Sequence, residues 1–109
     1  MSFTSANGVR LHTTDLGAGP PVVMLHGLLI GSLASWYFTA APALARSHTV
    51  RLYDLRGHGL SDRPADGYDT ATMAADLAAL VADLPGRVDL VGHSYGALVA
   101  LAFARAHPD

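Results

Sequence analysis

The stretch LVGHSYGALVA, residues 90–100, constrains this chain more than any other. Ser94 stands between Gly92 and Gly96, where an apolar run of strand length gives way to one of helix length. A sharp strand-to-helix turn there projects the serine Oγ out of a sheet. It also aims the first N–H groups of the helix at the same spot. Those groups have no partner inside the helix, and its positive end favours negative charge. Such a turn strains the serine and crowds neighbouring main chains, so the positions two before and two after must be nearly free of side chain. Gly92 and Gly96 meet that demand, which is the physical content of a G-x-S-x-G nucleophile elbow. A serine hydroxyl attacks poorly unless a base takes its proton and the developing oxyanion is stabilised. Ser94 is therefore the candidate nucleophile. The competing reading is a plain Gly-Ser-Gly connection.

The flanking pattern supplies the context an elbow needs. Asn7-Gly8 between short alternations predicts a β-hairpin turn. The run PVVMLHG, residues 21–27, predicts a parallel strand covered on both faces. Leu33, Trp36, Ala40, Ala41 and Leu44 fall near helical spacing, with Ser32 as N-cap and a break near Pro42. Residues 48–55 read as the next strand and 56–69 as a loop. A helix is predicted over 70–84, with Met73, Leu77, Leu80, Val81 and Leu84 on its apolar stripe and Asp76 and Asp83 off it. Pro85-Gly86 ends it, 87–93 is a third strand of this type, and 96–107 is a helix apolar nearly all round. Alternating strands and helices give an α/β fold with an open, mostly parallel sheet and an N-terminal β-hairpin.

HGLLIGSLASW, YDLRGHGLSDRP and LVGHSYGALVALAFARAHPD, in this order, resemble the N-terminal half of the α/β-hydrolase fold superfamily. The esterase, thioesterase and carbon–carbon hydrolase branches are the most similar. The resemblance makes Ser94 the nucleophile and gives the oxyanion hole the backbone N–H groups of Leu28 and Tyr95. The Gly-Gly-Gly loop of lipases is absent. A serine at position 94 departs from the branches that place aspartate there, which argues against haloalkane dehalogenase and epoxide hydrolase chemistry. In the resembled fold the acid and then the histidine follow the serine in chain order. Residues 1–109 accordingly read as the N-terminal portion of a single domain whose C-terminal half is absent. The strand at 88–91 is then expected at an open sheet edge, and the last helix without its cover.

No histidine in the sequence reads as the base. His93 reads as packing, and His26 as a brace for the oxyanion loop. His107 lies about 15 Å along its helix from Ser94. His12 and His48 have no acidic or histidine neighbour at metal spacing, so no metal is expected. Arg56, Gly57, His58, Gly59 and Ser61 read as turn geometry at the rim of the site, and Asp54 as structural. Trp36, Tyr37, Phe38 and Tyr95 are candidates for the lining of an acyl pocket, against a plain core role.

Composition narrows the rest. A net charge of −2 gives no electrostatic case for nucleic acid or an anionic membrane. The absence of cysteine excludes thiolate chemistry. The N-terminus lacks a signal-peptide pattern, and no apolar run reaches the roughly 20 residues of a membrane span, so a cytoplasmic protein is expected. The reading is a serine hydrolase that turns an ester, thioester or related carbonyl small-molecule substrate into an acyl-enzyme, with no cofactor. The 109 residues alone are expected to be inactive. A lyase, a cofactor-free peroxidase or a non-catalytic ligand-binding protein on the same scaffold is the alternative. Oligomeric state is not legible.

Overall fold

The computed structural model describes residues 2–27 and 31–108. Asn7 and Gly8 both hold positive φ, 53° and 82°, which gives a hairpin turn the twist of the strands it joins. It links β1 (Ser2–Ala6) to β2 (Val9–Leu16) in antiparallel register, Ala6 opposite Val9. β3 (Pro21–Leu25) is buried at all five positions. Val23 and Leu25 enter one core, and Val22 and Met24 the other, as an uninterrupted apolar run requires of a strand covered on both faces.

The sheet contains β4 (Thr49–Tyr53) and β5 (Asp89–Gly92) as well, in the order β1-β2-β4-β3-β5. The pairings β1–β2 and β2–β4 are antiparallel, whereas β3 pairs parallel with both β4 and β5. The sheet is thus mixed, and parallel in its later part. Two short helices, α1 (Ala34–Tyr37) and α2 (Ala41–Leu44), cover the Val22–Met24 face. The longer α3 (Thr70–Leu80) and α4 (Tyr95–Ala106) cover the Val23–Leu25 face, where Met73, Leu77, Leu80 and Val99 complete the core.

The break expected near Pro42 is present: two helices replace one, because proline fits a first turn and not an interior, and Pro42 stands in the first turn of α2. Three other local expectations need correction. Leu33, not Ser32, occupies the N-cap of α1, while Ser32 Oγ accepts the Ala34 N–H at 3.2 Å. α3 stops at Leu80, with Val81 at φ −99° and ψ 1° as its C-cap, and residues 81–83 form turns ahead of Pro85; the proline bars helical geometry at Leu84 directly before it. Asp76 is not on a solvated face. It is 1% exposed and receives Arg56 Nε and Nη2 at 3.0 and 2.8 Å, with Asn7 Nδ2 at 3.0 Å.

β5 is the outermost strand of the described sheet. α4 buries only Gly96 and Val99 and leaves Leu98 and Leu101 at 53% and 66% exposure. No helix among the described residues is long and apolar enough to cross a membrane.

Candidate active site

β3 runs on into α1 and α2 on one face, and its parallel neighbour β5 runs into α4 on the other. Where the connections of adjacent strands part in this way, a crevice opens at their carboxyl ends. Gly27 and Ser94 both lie there.

Only His93 and Ser94 separate β5 from α4. Ser94 has φ 56° and ψ −121°, backbone a non-glycine residue adopts only when its surroundings impose it, at about 1–3 kcal/mol. The two glycines supply those surroundings. A Cβ on Gly92 would lie 2.6 Å from Ala97 Cα, and one on Gly96 would lie 2.4 Å from His26 O and 2.7 Å from Leu25 O. Both positions are closed by main chain. The His93 N–H donates to Leu25 O at 3.0 Å, which extends the strand pairing to the turn. The Gly96 N–H then donates to His93 O and the Ala97 N–H to Ser94 O, at 3.0 and 2.9 Å. The Tyr95 N–H stands ahead of that ladder, where an anion at the helix's positive end would meet it. The Tyr95 hydroxyl donates to Tyr68 O, which ties the start of α4 to the 64–68 loop.

The opposite wall begins at Gly27, whose Cβ position lies 3.4 Å from Ser94 Cβ and 3.0 Å from His93 Nδ1. His26 holds this wall. Its Nε2 accepts the Leu55 N–H at 2.9 Å, so the ring proton sits on Nδ1 and donates to Gly27 O at 2.6 Å. Burial, the largest influence, pushes the His26 pKa below its ordinary value. A neutral ring with both nitrogens engaged braces the main chain and has no lone pair left for a proton from Ser94. Leu28, to which the second oxyanion N–H was assigned, lies outside the described residues.

None of the other described histidines is hydrogen-bonded to Ser94. His12 Nδ1 donates to Asp54 Oδ2 at 2.8 Å in the buried interior, an acidic partner the sequence did not disclose. His48 Nδ1 meets Ser47 Oγ at 2.7 Å, and His58 Nδ1 meets Arg56 O at 2.9 Å. His107 stacks on Phe103 beyond the far end of α4. His93 is exposed beside Gly27. Among the described residues, no hydrogen bond joins a side chain to Ser94 Oγ, and no three His, Asp or Glu side chains converge on a metal position.

The aromatic candidates divide. Trp36 borders a cavity of about 230 Å³ together with His26, Ser35 and His93, beside the elbow. Tyr37 and Phe38 line a different cavity over β2, with His12 and Leu16. A further cavity, about 610 Å³, lies between the opening of β5 and the end of α4, lined by Val88, Phe103 and His107. It is at the wrong end of the strand for Ser94.

Comparison with known proteins agrees with this fold. The family profile described as alpha/beta hydrolase fold matches residues 20–109. The chain is similar to a soluble epoxide hydrolase of Corynebacterium sp. (strain C12), 42% identical over 106 residues that make up 94% of this chain and 36% of that protein. It is also similar to a 2-hydroxymuconate semialdehyde hydrolase of Pseudomonas sp. (strain CF600), 40% identical over 108 residues, 95% of this chain and 38% of that one. Among solved structures, the ligand-free epoxide hydrolase CorEH superposes with a TM-score of 0.93 at 40% identity, covering 99% of this chain and 38% of its own. The chain therefore spans little more than a third of the length of these relatives.

Proposed function

Because the chain belongs to the α/β-hydrolase fold family, we propose that it carries the nucleophile of a serine hydrolase for an ester, thioester or related carbonyl substrate of small size. The observation that carries the reading is the backbone of Ser94, held at φ 56° between two glycines whose Cβ positions are closed by main chain.

Ser94 Oγ attacks the carbonyl carbon as a base removes its proton, and the carbonyl π pair moves onto oxygen. The Tyr95 N–H donates to that oxyanion. A second donor comes from the wall that starts at Gly27, where the family resemblance puts Leu28. Collapse of the tetrahedral species expels the alcohol or thiol, which takes the proton, and leaves an acyl group on Ser94. Water, deprotonated by the same base, releases the acid by the reverse sequence. Among the described residues no histidine is hydrogen-bonded to Ser94, and the family resemblance puts the acid and then the histidine after the serine in chain order.

A fluorophosphonate probe tests this directly in the active protein. Ser94 is expected to take the label, in preference to the exposed Ser2, Ser5 and Ser35, and Ser94→Ala is expected to lower kcat by on the order of 10⁴–10⁶. Labelling mapped to another serine, or turnover surviving Ser94→Ala, removes the reading. The epoxide hydrolase relatives favour a second reading, ring opening of an epoxide. Ser94 offers a hydroxyl and no carboxylate, so diol formation from an epoxide that outpaces ester turnover would be needed to prefer it.

A further inference from the structure

A cavity of about 460 Å³ lies over β2, which β4 separates from β3 and the elbow. Leu11 faces the Val23–Leu25 core, so the alternation of a strand turns His12, Thr14 and Leu16 to the opposite face. There Leu33, Tyr37 and Phe38 complete the lining. Ligand cavities run from about 300 to 1,000 Å³ and are mostly apolar, with a few directed polar groups. This cavity has that make-up. The Asp15 carboxylate at its border is already held by Arg51, whose Nε and Nη2 donate to it at 2.8 Å each. His12 is the polar group left to a ligand.

His12 is 4% exposed. Its Nδ1 lies 2.8 Å from Asp54 Oδ2, a carboxylate that also accepts the Leu33 and Leu60 N–H groups at 2.8 and 2.9 Å. Three donors on one carboxylate put the ring proton on Nδ1 and leave Nε2 of the neutral imidazole with a lone pair. Nε2 is shut off from water and has no hydrogen-bond partner among the described residues. It is also the outer nitrogen of the ring, farther from Cβ than Nδ1. On a side chain that stands off the sheet, it is therefore the nitrogen farther out on the cavity's side. A buried acceptor without a donor destabilises the protein that holds it, and a ligand that brings a donor relieves that loss.

We infer that this cavity binds a small, neutral aromatic alcohol of the phenol class, its hydroxyl donating to His12 Nε2 and its ring packed against Leu16, Tyr37 and Phe38. The site is independent of Ser94. Tyr37 and Phe38 stand edge to face with centroids 5.0 Å apart, so a third ring finds a face or an edge to pack on. Both side chains are exposed, at 38% and 78%. They sit at the end of the four-residue α1, where short, exposed structure opens readily and lets the hydroxyl in to Nε2. A hydrocarbon of the same size leaves Nε2 unpaired. An aromatic carboxylate carries no proton for Nε2 and lies one imidazole ring away from the Asp54 charge.

The experiment titrates the full protein, labelled with ¹⁵N-histidine, with p-cresol, toluene and p-toluate. By calorimetry p-cresol is expected to bind about tenfold more tightly than either of the others. By NMR p-cresol alone is expected to move the His12 Nε2 resonance upfield, as a nitrogen that accepts a hydrogen bond does. His12→Asn places an amide N–H where Nδ1 was, so Asp54 keeps its donor while Nε2 is deleted, and the advantage of p-cresol over toluene should vanish. Ala34 also lines the cavity and is exposed, so Ala34→Phe occupies the space without disturbing the core and should weaken p-cresol by about tenfold or more. Should His12→Asn fail to fold, the resonance shift and Ala34→Phe decide. Absence of saturable binding, equal affinity for p-cresol and toluene, or affinity unchanged by the variants overturns the site. So does p-cresol binding that leaves the His12 resonance in place, which would put the ligand elsewhere, the crevice beside Ser94 included.

Discussion

Alanine at Gly96 tests the elbow because two effects of opposite sign meet there. In an ordinary helix Gly→Ala gains about 1 kcal/mol. Against that gain stand His26 O at 2.4 Å, Leu25 O at 2.7 Å and Leu25 C at 2.9 Å from the new Cβ. All three are main-chain atoms of β3 or the residue after it, so no rotamer change relieves the overlap. Carbon packs at roughly 3.5–4.0 Å, so α4 must back away from β3 by about 1 Å and loosen the core around Val99. Overpacking of this size costs about 1–3 kcal/mol, and more where backbone must move. The upper part of that range outweighs the helix propensity, so a net loss of about 1–2 kcal/mol is expected for Gly96→Ala. Gly96→Val should lose several kcal/mol, while Ser94→Ala, which deletes one exposed hydroxyl, stays within about 0.5 kcal/mol. Urea unfolding of the active protein followed by circular dichroism reads these losses as midpoint shifts at constant slope. Gly96→Ala as stable as the parent, or more so, would mean that propensity wins and that α4 is not wedged against β3.

Two further predictions concern the supports of the site. The folded chain holds His26 neutral, whereas the unfolded chain takes up a proton near the ordinary histidine value of 6.5. Unfolding therefore binds more protons below that pH, and His26 leaves stability untouched above about 6.5 and lowers it as the pH falls below; a ring titration by NMR that placed its pKa at or above 6.5 would contradict the bonding described. Asp76→Ala should destabilise by about 3–5 kcal/mol, because it strands the buried Arg56 guanidinium, and a thermal melt within 1–2 °C of the parent would show that the pair carries no such burden.

What the sequence disclosed and what it withheld follow from the range of the interactions involved. The elbow is local: Gly92, Ser94 and Gly96 sit within one turn, so residue type alone specifies the geometry that φ 56° and the two closed Cβ positions display. The hairpin at Asn7-Gly8 and the two-sided burial of β3 were legible for the same reason. The surroundings of Asp54 were not, because they depend on strand pairing across the chain. Thr13 lies opposite Tyr53 in the antiparallel pair, which brings His12 level with Asp54. Met24 pairs with Leu52 in the parallel one, which brings His26 to the same level. Nothing near residue 54 in the chain announces either neighbour. Asp76 misled for a related reason: helical periodicity sets it off the apolar stripe, but Arg56 and Asn7 arrive from distant loops to satisfy it.

The last prediction concerns the 109 residues expressed by themselves. Among the described strands β5 pairs on one side only, with β3, and an apolar strand with an open edge is a template for another chain. Beside it α4 presents Leu98 and Leu101 at 53% and 66% exposure, so the strand edge and the apolar helix face together favour self-association. The catalytic side is equally incomplete. No described histidine is hydrogen-bonded to Ser94, and removing the base of a well-studied serine protease lowers kcat by on the order of 10⁶-fold. What remains is the Tyr95 N–H, useful only if the turn stays rigid, and rigidity falls where a strand lacks a neighbour. The isolated chain should therefore associate on size-exclusion chromatography with light scattering and hydrolyse p-nitrophenyl acetate no faster than its Ser94→Ala variant. A monodisperse monomer with a cooperative melt and Ser94-dependent turnover would refute both halves of the argument, and would turn attention to exposed His93, next to the nucleophile, as the base.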